Sequence, residues 1–391
     1  MTTHWKGHTE SFPLRKRGSA HVVVIPGDDA APEAMSAAVK VLRAAASNSI
    51  DWEVLPDGYA LASKSLAERQ SLVFEAITRA DAVLFGATSG TTPGIWELRW
   101  GRETFANVRP VKWRRGVPTP LQDPSDIDYV IVRENLEDLY LCLEGSLSEL
   151  KQSGLNLVPW SGLSGALEGF AQGVSRPQRF QLTDEGAYAI KIVTADNCDR
   201  IARFAFELAC QRKEMGYAGR VTCSSKYNLL TRTDGLFVTV ARTVAAEYPN
   251  IEYKEYIIDD FARRIVASRA ELDVVLLPNL YGDILSDEAA GTIGGLGMAP
   301  SGCYGEDFAY FESAHGSAPD IAGRDCINPI ATLLSGTMLL RYLGETESAA
   351  LIEAAIDTVL QDQQLRTPDI GGTGSTTAFG DAIIAAMKTY S

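Results

Sequence analysis

"DVVLLPNLYGDILSDEAAG", residues 273–291, runs from one of the most apolar stretches of the chain straight into clustered acids. Residues 273–279 have the length and β-branched character of a buried strand, and residues 280–291 read as the start of a helix with Gly282 at the turn. Asp283 and Asp287 are four apart, which puts two carboxylates on one helical face, where like charges repel. Two readings account for them. Acids favour the first turn of a helix through its dipole, which covers Asp283 better than Asp287. Alternatively a hard divalent cation, Mg²⁺ or Mn²⁺, is held by oxygen ligands at the carboxyl end of a strand, where α/β folds place their sites. The segment alone leaves both open.

Outward from this stretch, further strand-like runs stand at 21–27, 81–87, 128–134 and 220–225, separated by segments with helical spacing such as "APEAMSAAVKVLRAAA" and "CDRIARFAFELACQRK". The alternation predicts an α/β protein with a largely parallel sheet. Residues 145–182 break the pattern, being rich in Gly, Ser, Leu and Gln and interrupted by Pro159 and Pro177, and read as an excursion from the core. After 291 the chain is Gly-rich and turn-like ("GTIGGLGMAPSGCYG"), then strongly helical.

The 391 residues, 46% of them hydrophobic, are enough for a sizeable core in two or three domains. A net charge of -14 argues against nucleic acid or an anionic membrane surface as the main partner. The six cysteines have irregular wide spacings and no CxxC pair, which reads as reduced thiols of a cytoplasmic protein. Residues 1–18 lack the apolar run of a signal peptide and read as a solvated tail, and no apolar run is long enough for a membrane span.

Two other regions carry chemistry. Asp259 and Asp260 open an apparent helix, where paired acids are commonly caps. Residues 98–115 hold Arg99, Arg102, Arg109, Lys112, Arg114 and Arg115, and Arg133 ends the next strand; several converging arginines suit a small polyanion, although solvated surface arginines remain an open reading. No GxGxxG follows a strand, so a Rossmann site is not supported. His315 among small turn residues reads as a general base, a ligand or a simple loop contact.

"VRENLEDLY", "SKYNLLTRTDGLF", "YIIDDFARRIV", "NLYGDILSDEAA" and "HGSAPDIAGRDCINP", in that order, resemble the metal-dependent β-decarboxylating dehydrogenases that act on 3-isopropylmalate, isocitrate, homoisocitrate and tartrate or D-malate. The similarity covers roughly 20–391 apart from the 145–182 excursion. It implies an isopropylmalate dehydrogenase-like α/β fold of two domains, with parallel and mixed sheets flanked by helices and a non-Rossmann dinucleotide site. Residues 19–104 and 294–391 would form the large cofactor-binding domain, and 105–293 the smaller domain for dimerisation and substrate, with 145–182 as an interlocking arm. By the resemblance Asp283 and Asp287 are metal ligands from one protomer, with Asp259 supplied by its partner in a homodimer with shared sites; Tyr140 and Lys226 are catalytic, the lysine serving the neighbouring protomer. Arg99, Arg109 and Arg133 match the arginines that grip the malate carboxylates, and Asn228 lies near the nicotinamide. His315, Gly316, Ser317, Ala318, Asp320, Ile321 and Asn328 match the adenosine-binding loop. A carboxylate at Asp320 accepts hydrogen bonds from a ribose 2′-OH and repels a 2′-phosphate, so NAD is the expected cofactor; NADP-using members usually carry Lys-Tyr where this chain has Asp320-Ile321.

For the substrate, isocitrate enzymes resemble one another in a Ser and an Asn placed where this chain has Pro93 and Ile95. Ile95, with Trp96 beside it, favours a 3-substituted malate with a buried apolar side chain, in the manner of isopropylmalate. Homoisocitrate, isocitrate and tartrate or D-malate stay as alternatives, as does a non-catalytic regulatory paralogue. The chain departs from the family in "GDDAAPE", where "GDGIGPE" is usual, and in the bulk of Tyr227 after the lysine.

Overall fold

The structure, a computed structural model, describes residues 19–153 and 185–390. The expected tail at 1–18 and most of the expected arm at 145–182 lie outside these residues.

In chain order the elements are β1 (Ala20–Ile25), α1 (Ala31–Ala45), β2 (Ile50–Val54), α2 (Gly58–Leu61), α3 (Leu66–Arg79), β3 (Ala82–Phe85), β4 (Ala106–Lys112) and β5 (Asp128–Glu134). Next come β6 (Glu144–Ser146), α4 (Leu147–Gln152), β7 (Ala187–Ala189), α5 (Ala195–Glu214), β8 (Arg220–Ser225), α6 (Thr233–Ala245), β9 (Glu252–Ile257), α7 (Ile258–Ala267), β10 (Val274–Leu277) and α8 (Asn279–Thr292). The chain closes with β11 (Pro300–Tyr304), β12 (Ala309–Ser313), α9 (Ile330–Tyr342), α10 (Thr346–Val359) and α11 (Thr376–Met387).

Ten of the strands form one sheet, in the order β2-β1-β3-β12-β11-β4-β5-β10-β8-β9 among the described residues. Two parallel blocks, β2-β1-β3-β12 and β5-β10-β8-β9, are joined through β11 and β4, whose pairings with their neighbours are antiparallel. β3 and β10 are buried at every position because helices cover both faces, which is why they read as unbroken apolar runs. The expected α/β class with a mostly parallel sheet is what the chain adopts.

The seam is where sequence patterning fails. β4, "ANVRPVK", carries an arginine and a proline, and β11, "PSGCY", begins in the stretch expected to be turn-like. Along β4, the pairing with β11 reaches only Ala106–Val108, so the N–H that Pro110 lacks costs no ladder bond on that side. All six cysteines are free thiols. No helix of the described residues is long and apolar enough to cross a membrane.

Candidate active site

Antiparallel pairing of β4 with β5 sets Asn107 opposite Arg133 and Arg109 opposite Ile131, so both arginines rise from one face of the sheet. β10 runs parallel to β5 with Leu277 beside Arg133, and α8 starts two residues later at the strand's carboxyl end. Gly282 lies inside α8 rather than at a turn. A Cβ there would come within 2.5 Å of Arg133 Cγ, so the glycine is needed for close approach. The arginine stem lies on that gap. Its Nε donates to the Asn279 carbonyl at 3.0 Å and its Nη2 to Asn279 Oδ1 at 2.8 Å, while Nη1 pairs with Asp283.

α8 has no acid in its first turn. Asp283 and Asp287 therefore sit beyond the reach of the helix dipole, which fades within that turn, and the arginines hold them instead. Arg109 lies 3.3 Å from each carboxylate and donates to Ser286 Oγ at 2.6 Å and Asn107 Oδ1 at 3.1 Å. Arg99 belongs to a π-helical turn, Glu97–Gly101, a local form frequent at functional sites. Its guanidinium stands 5.4 Å from the Tyr140 ring, which Arg133 approaches to 4.8 Å, and the Arg99 Nε has no partner among the described residues. The Tyr140 hydroxyl donates to Asp283. Arg99, Arg109, Arg133, Tyr140, Asp283 and Asp287 thus converge.

The other basic groups disperse. Arg102 donates to the Ile77 carbonyl at 3.0 Å, Lys112 lies 2.8 Å from Asp128, and Arg114 is 2.5 Å from Asp357. Ile95 packs on the hydrophobic cluster that includes Val73, Ile77, Phe85 and Leu98, while Trp96, 61% exposed, stacks on Trp100 with centroids 4.4 Å apart.

Charge balance in the pocket follows from burial against pairing. Burial opposes ionisation of Asp283, yet Arg133, the Tyr140 hydroxyl and Arg109 outweigh it and hold its carboxyl below the ordinary range. Asp287 is pushed up by burial and by the Asp283 charge, against Arg109. Burial also raises Tyr140, assisted by its bond to Asp283, so the phenol keeps its proton. Glu312 of β12 faces the same arginines; burial raises its carboxyl although Arg99, Arg109 and Arg133 pull the other way.

Lys226 and Asp259 form a separate pair: the lysine ammonium donates to both Asp259 oxygens. Asp260, next in sequence, turns instead to Arg263 and Arg264. Among the described residues no three His, Cys, Asp or Glu side chains group closely enough to hold a metal. A single chain therefore offers two carboxylates at α8 and a third elsewhere. Asn228 is exposed in the turn after Lys226.

The loop expected to hold adenosine packs against the β1–α1 turn. Ala30 N donates to the Ser317 carbonyl at 2.9 Å, Ser317 Oγ to Asp29 at 2.6 Å, and Gly323 N to Glu33 at 2.6 Å. Asp29, at a position where glycine is usual in the resembled motif, takes φ 55, and Ala318 takes φ 52. These are left-handed conformations uncommon for residues with a Cβ, and such strain concentrates at ligand sites. His315 contacts the Gly316 carbonyl through Nδ1 at 2.8 Å; burial lowers its pKa, and the buried Nε2 has no partner among the described residues. Gly316 and Asp320 are exposed, and Ile321 packs on a small cluster with Ala30, Ala34 and Ile327. Asn328 is buried, its amide engaged with Asp369 at 2.9 Å and with Ile330 N at 3.0 Å.

The profile of the family described as isocitrate/isopropylmalate dehydrogenase matches residues 21–383. The chain belongs to that family. Among relatives of this dehydrogenase, the 3-isopropylmalate/3-methylmalate dehydrogenase of Methanocaldococcus jannaschii is 40% identical, covering 94% of this chain and 98% of the relative. The 3-isopropylmalate dehydrogenase of Archaeoglobus fulgidus is 35% identical over 94% of this chain and 99% of its own length. The crystal structure of isocitrate dehydrogenase from Methylococcus capsulatus superposes with a TM-score of 0.76 at 31% identity, covering 94% of this dehydrogenase and 99% of that chain.

Sequence reading missed four polar groups of the pocket. Asn279, first residue of α8, and Ser286, between the two aspartates, lay inside the motif but carry no charge to draw notice. Asn107 and Glu312 sit on strands whose sequences gave no strand signal.

Proposed function

We propose that this protein catalyses the NAD-dependent oxidative decarboxylation of a 3-substituted malate, 3-isopropylmalate or a close analogue, to a 2-oxo acid and CO₂. The observation that carries the reading is the convergence of three arginines and a protonated tyrosine around Asp283. Three guanidinium groups suit a dicarboxylate, and Arg99, with an unpartnered Nε, has a hydrogen bond to give.

Asp283 and Asp287, with Asp259 of the partner subunit, would hold Mg²⁺ or Mn²⁺, which when bound supplies Lewis acidity at the substrate's C2 oxygen, while NAD⁺ accepts the hydride. The donor set fits: two carboxylates share a helical face and the third is presented on an exposed surface. In the oxidation the C2–H electron pair leaves as hydride and the partner's Lys226, acting as the neutral amine, takes the hydroxyl proton. In the decarboxylation the C3–carboxylate bond breaks, its electron pair remains on carbon, and Tyr140 donates its proton to C3. Arg99, Arg109 and Arg133 hold both carboxylates during the oxidation, and the one on C3 then leaves as CO₂.

Ile95 and Trp96 offer an apolar wall for the C3 substituent, which favours an alkyl group over the extra carboxylate of isocitrate or homoisocitrate. Exposed Asp320 favours a free ribose 2′-OH, and the unpartnered His315 Nε2 leaves an acceptor for the nucleoside. A homodimer is supported by apolar side chains exposed beside the two half-sites, Leu229 and Leu230 after Lys226, Val266 on α7 and Ile284 on α8. We read residues 19–104 with 294–391 as the cofactor lobe and 105–293 as the lobe for substrate and dimerisation.

The test is reduction of NAD⁺, with NADP⁺ in parallel, in the presence of Mn²⁺ over a panel of 3-isopropylmalate, 3-methylmalate, isocitrate, homoisocitrate, D-malate and tartrate. Preferred turnover of an alkylmalate with NAD⁺ is expected. Preference for isocitrate or homoisocitrate sinks the substrate assignment, and no turnover of any member sinks the enzyme reading in favour of a regulatory one.

A further inference from the structure

Behind the arginine pocket lies a second charged cluster that these steps do not use. Lys191 stands in the extended segment between β7 and α5, Asp138 in the turn after β5 at φ 70, and Asp234 in the first turn of α6. The Lys191 ammonium is 2.8 Å from Asp234 Oδ2, 3.5 Å from Asp138 Oδ1 and 4.8 Å from the centre of the Tyr281 ring. Both carboxylates are buried, 0% exposed at Asp234 and 1% at Asp138. Among the described residues, the ion pairs of both acids are with this one lysine.

Each acid also holds a backbone amide of the active segments. Asp138 accepts from Leu139 N at 2.8 Å, directly before Tyr140, and from Leu280 N at 3.1 Å, at the start of the helix that carries Asp283. Asp234 accepts from Lys226 N at 2.9 Å. The lysine's own segment is fixed to the same turn, since Asp138 N donates to the Ile192 carbonyl at 2.9 Å.

Buried carboxylates need a counter-charge to stay ionised and in place. One ammonium serves two of them, and through them touches the backbone on either side. We infer that Lys191 is a positioning residue that ties the Tyr140-bearing turn and the Lys226-bearing loop of one chain into a single unit. The inference rests on the proposed roles of Tyr140 and Lys226, but the tie itself is a property of the chain and is tested apart from activity.

The experiment compares wild type, Lys191→Met, Lys191→Arg and the charge-balanced Lys191→Met/Asp138→Asn/Asp234→Asn by hydrogen exchange and by kinetics. The triple variant buries no unpaired charge, so it keeps the fold accessible while lacking the ionic tie. Exchange at the Leu139, Leu280 and Lys226 amides is expected to rise about tenfold or more in the Met variant and in the triple variant, at both segments together, and to return toward wild type with arginine. Faster exchange at one segment alone, or at neither, overturns the tie. In turnover of the alkylmalate, kcat is expected to fall about 30-fold with KM within about threefold, since the misplaced groups act in the chemical steps. An unchanged kcat in a destabilised Met variant would mean a purely structural role and overturns the inference. A wild type without turnover refutes the functional reading instead, and the exchange data still decide the tie.

Discussion

The two halves of the candidate site are built differently. Around Asp283 the polar groups are locked: Arg133 is 1% exposed and spends its donors on Asn279 and Asp283, while Arg109 is tied to Asn107, Ser286 and both aspartates. The Lys226–Asp259 pair is open, its side chains 27% and 57% exposed and joined mainly to each other. A pocket that must hold a small dianion gains from preorganisation. A pair that has to enter another chain's site must instead present its charges on a surface, where they add little to the stability of the chain that carries them.

The largest expected effect that would break this contrast is at Arg133. Arg133→Met leaves buried Asn279 Oδ1 without its donor and leaves Asp283 to Arg109 and the Tyr140 hydroxyl alone, so stability should fall by about 1–3 kcal/mol along with loss of turnover. A urea midpoint close to wild type would show that the pocket is not locked as described. Lys226→Met is the converse. Turnover should drop by roughly 10²–10⁴-fold as a proton acceptor is lost, with stability within about 1 kcal/mol of wild type. Substantial unfolding in that variant would place the pair in the structural frame.

Asp283→Asn separates metal from cofactor. Mn²⁺ affinity measured by calorimetry should weaken by one or more orders of magnitude while NADH binding changes little, and retained Mn²⁺ binding refutes the ligand assignment. Asp320→Lys with Ile321→Tyr should shift the ratio of kcat/KM from NAD⁺ toward NADP⁺ by about tenfold or more. An unmoved ratio removes Asp320 from cofactor choice.

The smallest effect sharpens the contrast through pH. Burial raises the carboxyl of Glu134, beside Arg133, from an ordinary 4.5 to about 7. Between those values the folded chain keeps a proton that the unfolded chain has lost, so this residue's contribution to stability declines as pH rises through the window. Glu134→Gln should flatten that part of the stability profile, read by denaturant titration from acidic to neutral pH. An equal slope in variant and wild type would assign the decline to other groups.

β3 and β10, and β1 from Val22 onward, were legible in the sequence because burial on both faces makes them apolar there, whereas the parallel strands β2, β9 and β12 were not read as strands. The face shared by Asp283 and Asp287 follows from helical spacing, and the meeting of Arg99, Arg109 and Arg133 was readable only through a motif order resembling a known family. What escaped is what local pattern does not encode. β4 and β11 lie at the centre of the sheet yet carry arginine, proline and glycine, because their neighbours are chosen by tertiary pairing. Gly282 looked like a turn residue, and its cause is an arginine stem on another element. The Lys191 cluster joins residues far apart along the chain, with no spacing to betray it.

The sheet order also bears on how the chain is made. β3 is synthesised early, yet its neighbour on the seam side is β12, and β4 waits for β11 in the same way. At ribosomal rates of about 5–20 residues per second, the wait from β3 to β12 is on the order of tens of seconds. Throughout that interval the first strands present an open edge, so this half of the molecule is the part that newly made chains most need shielded from one another.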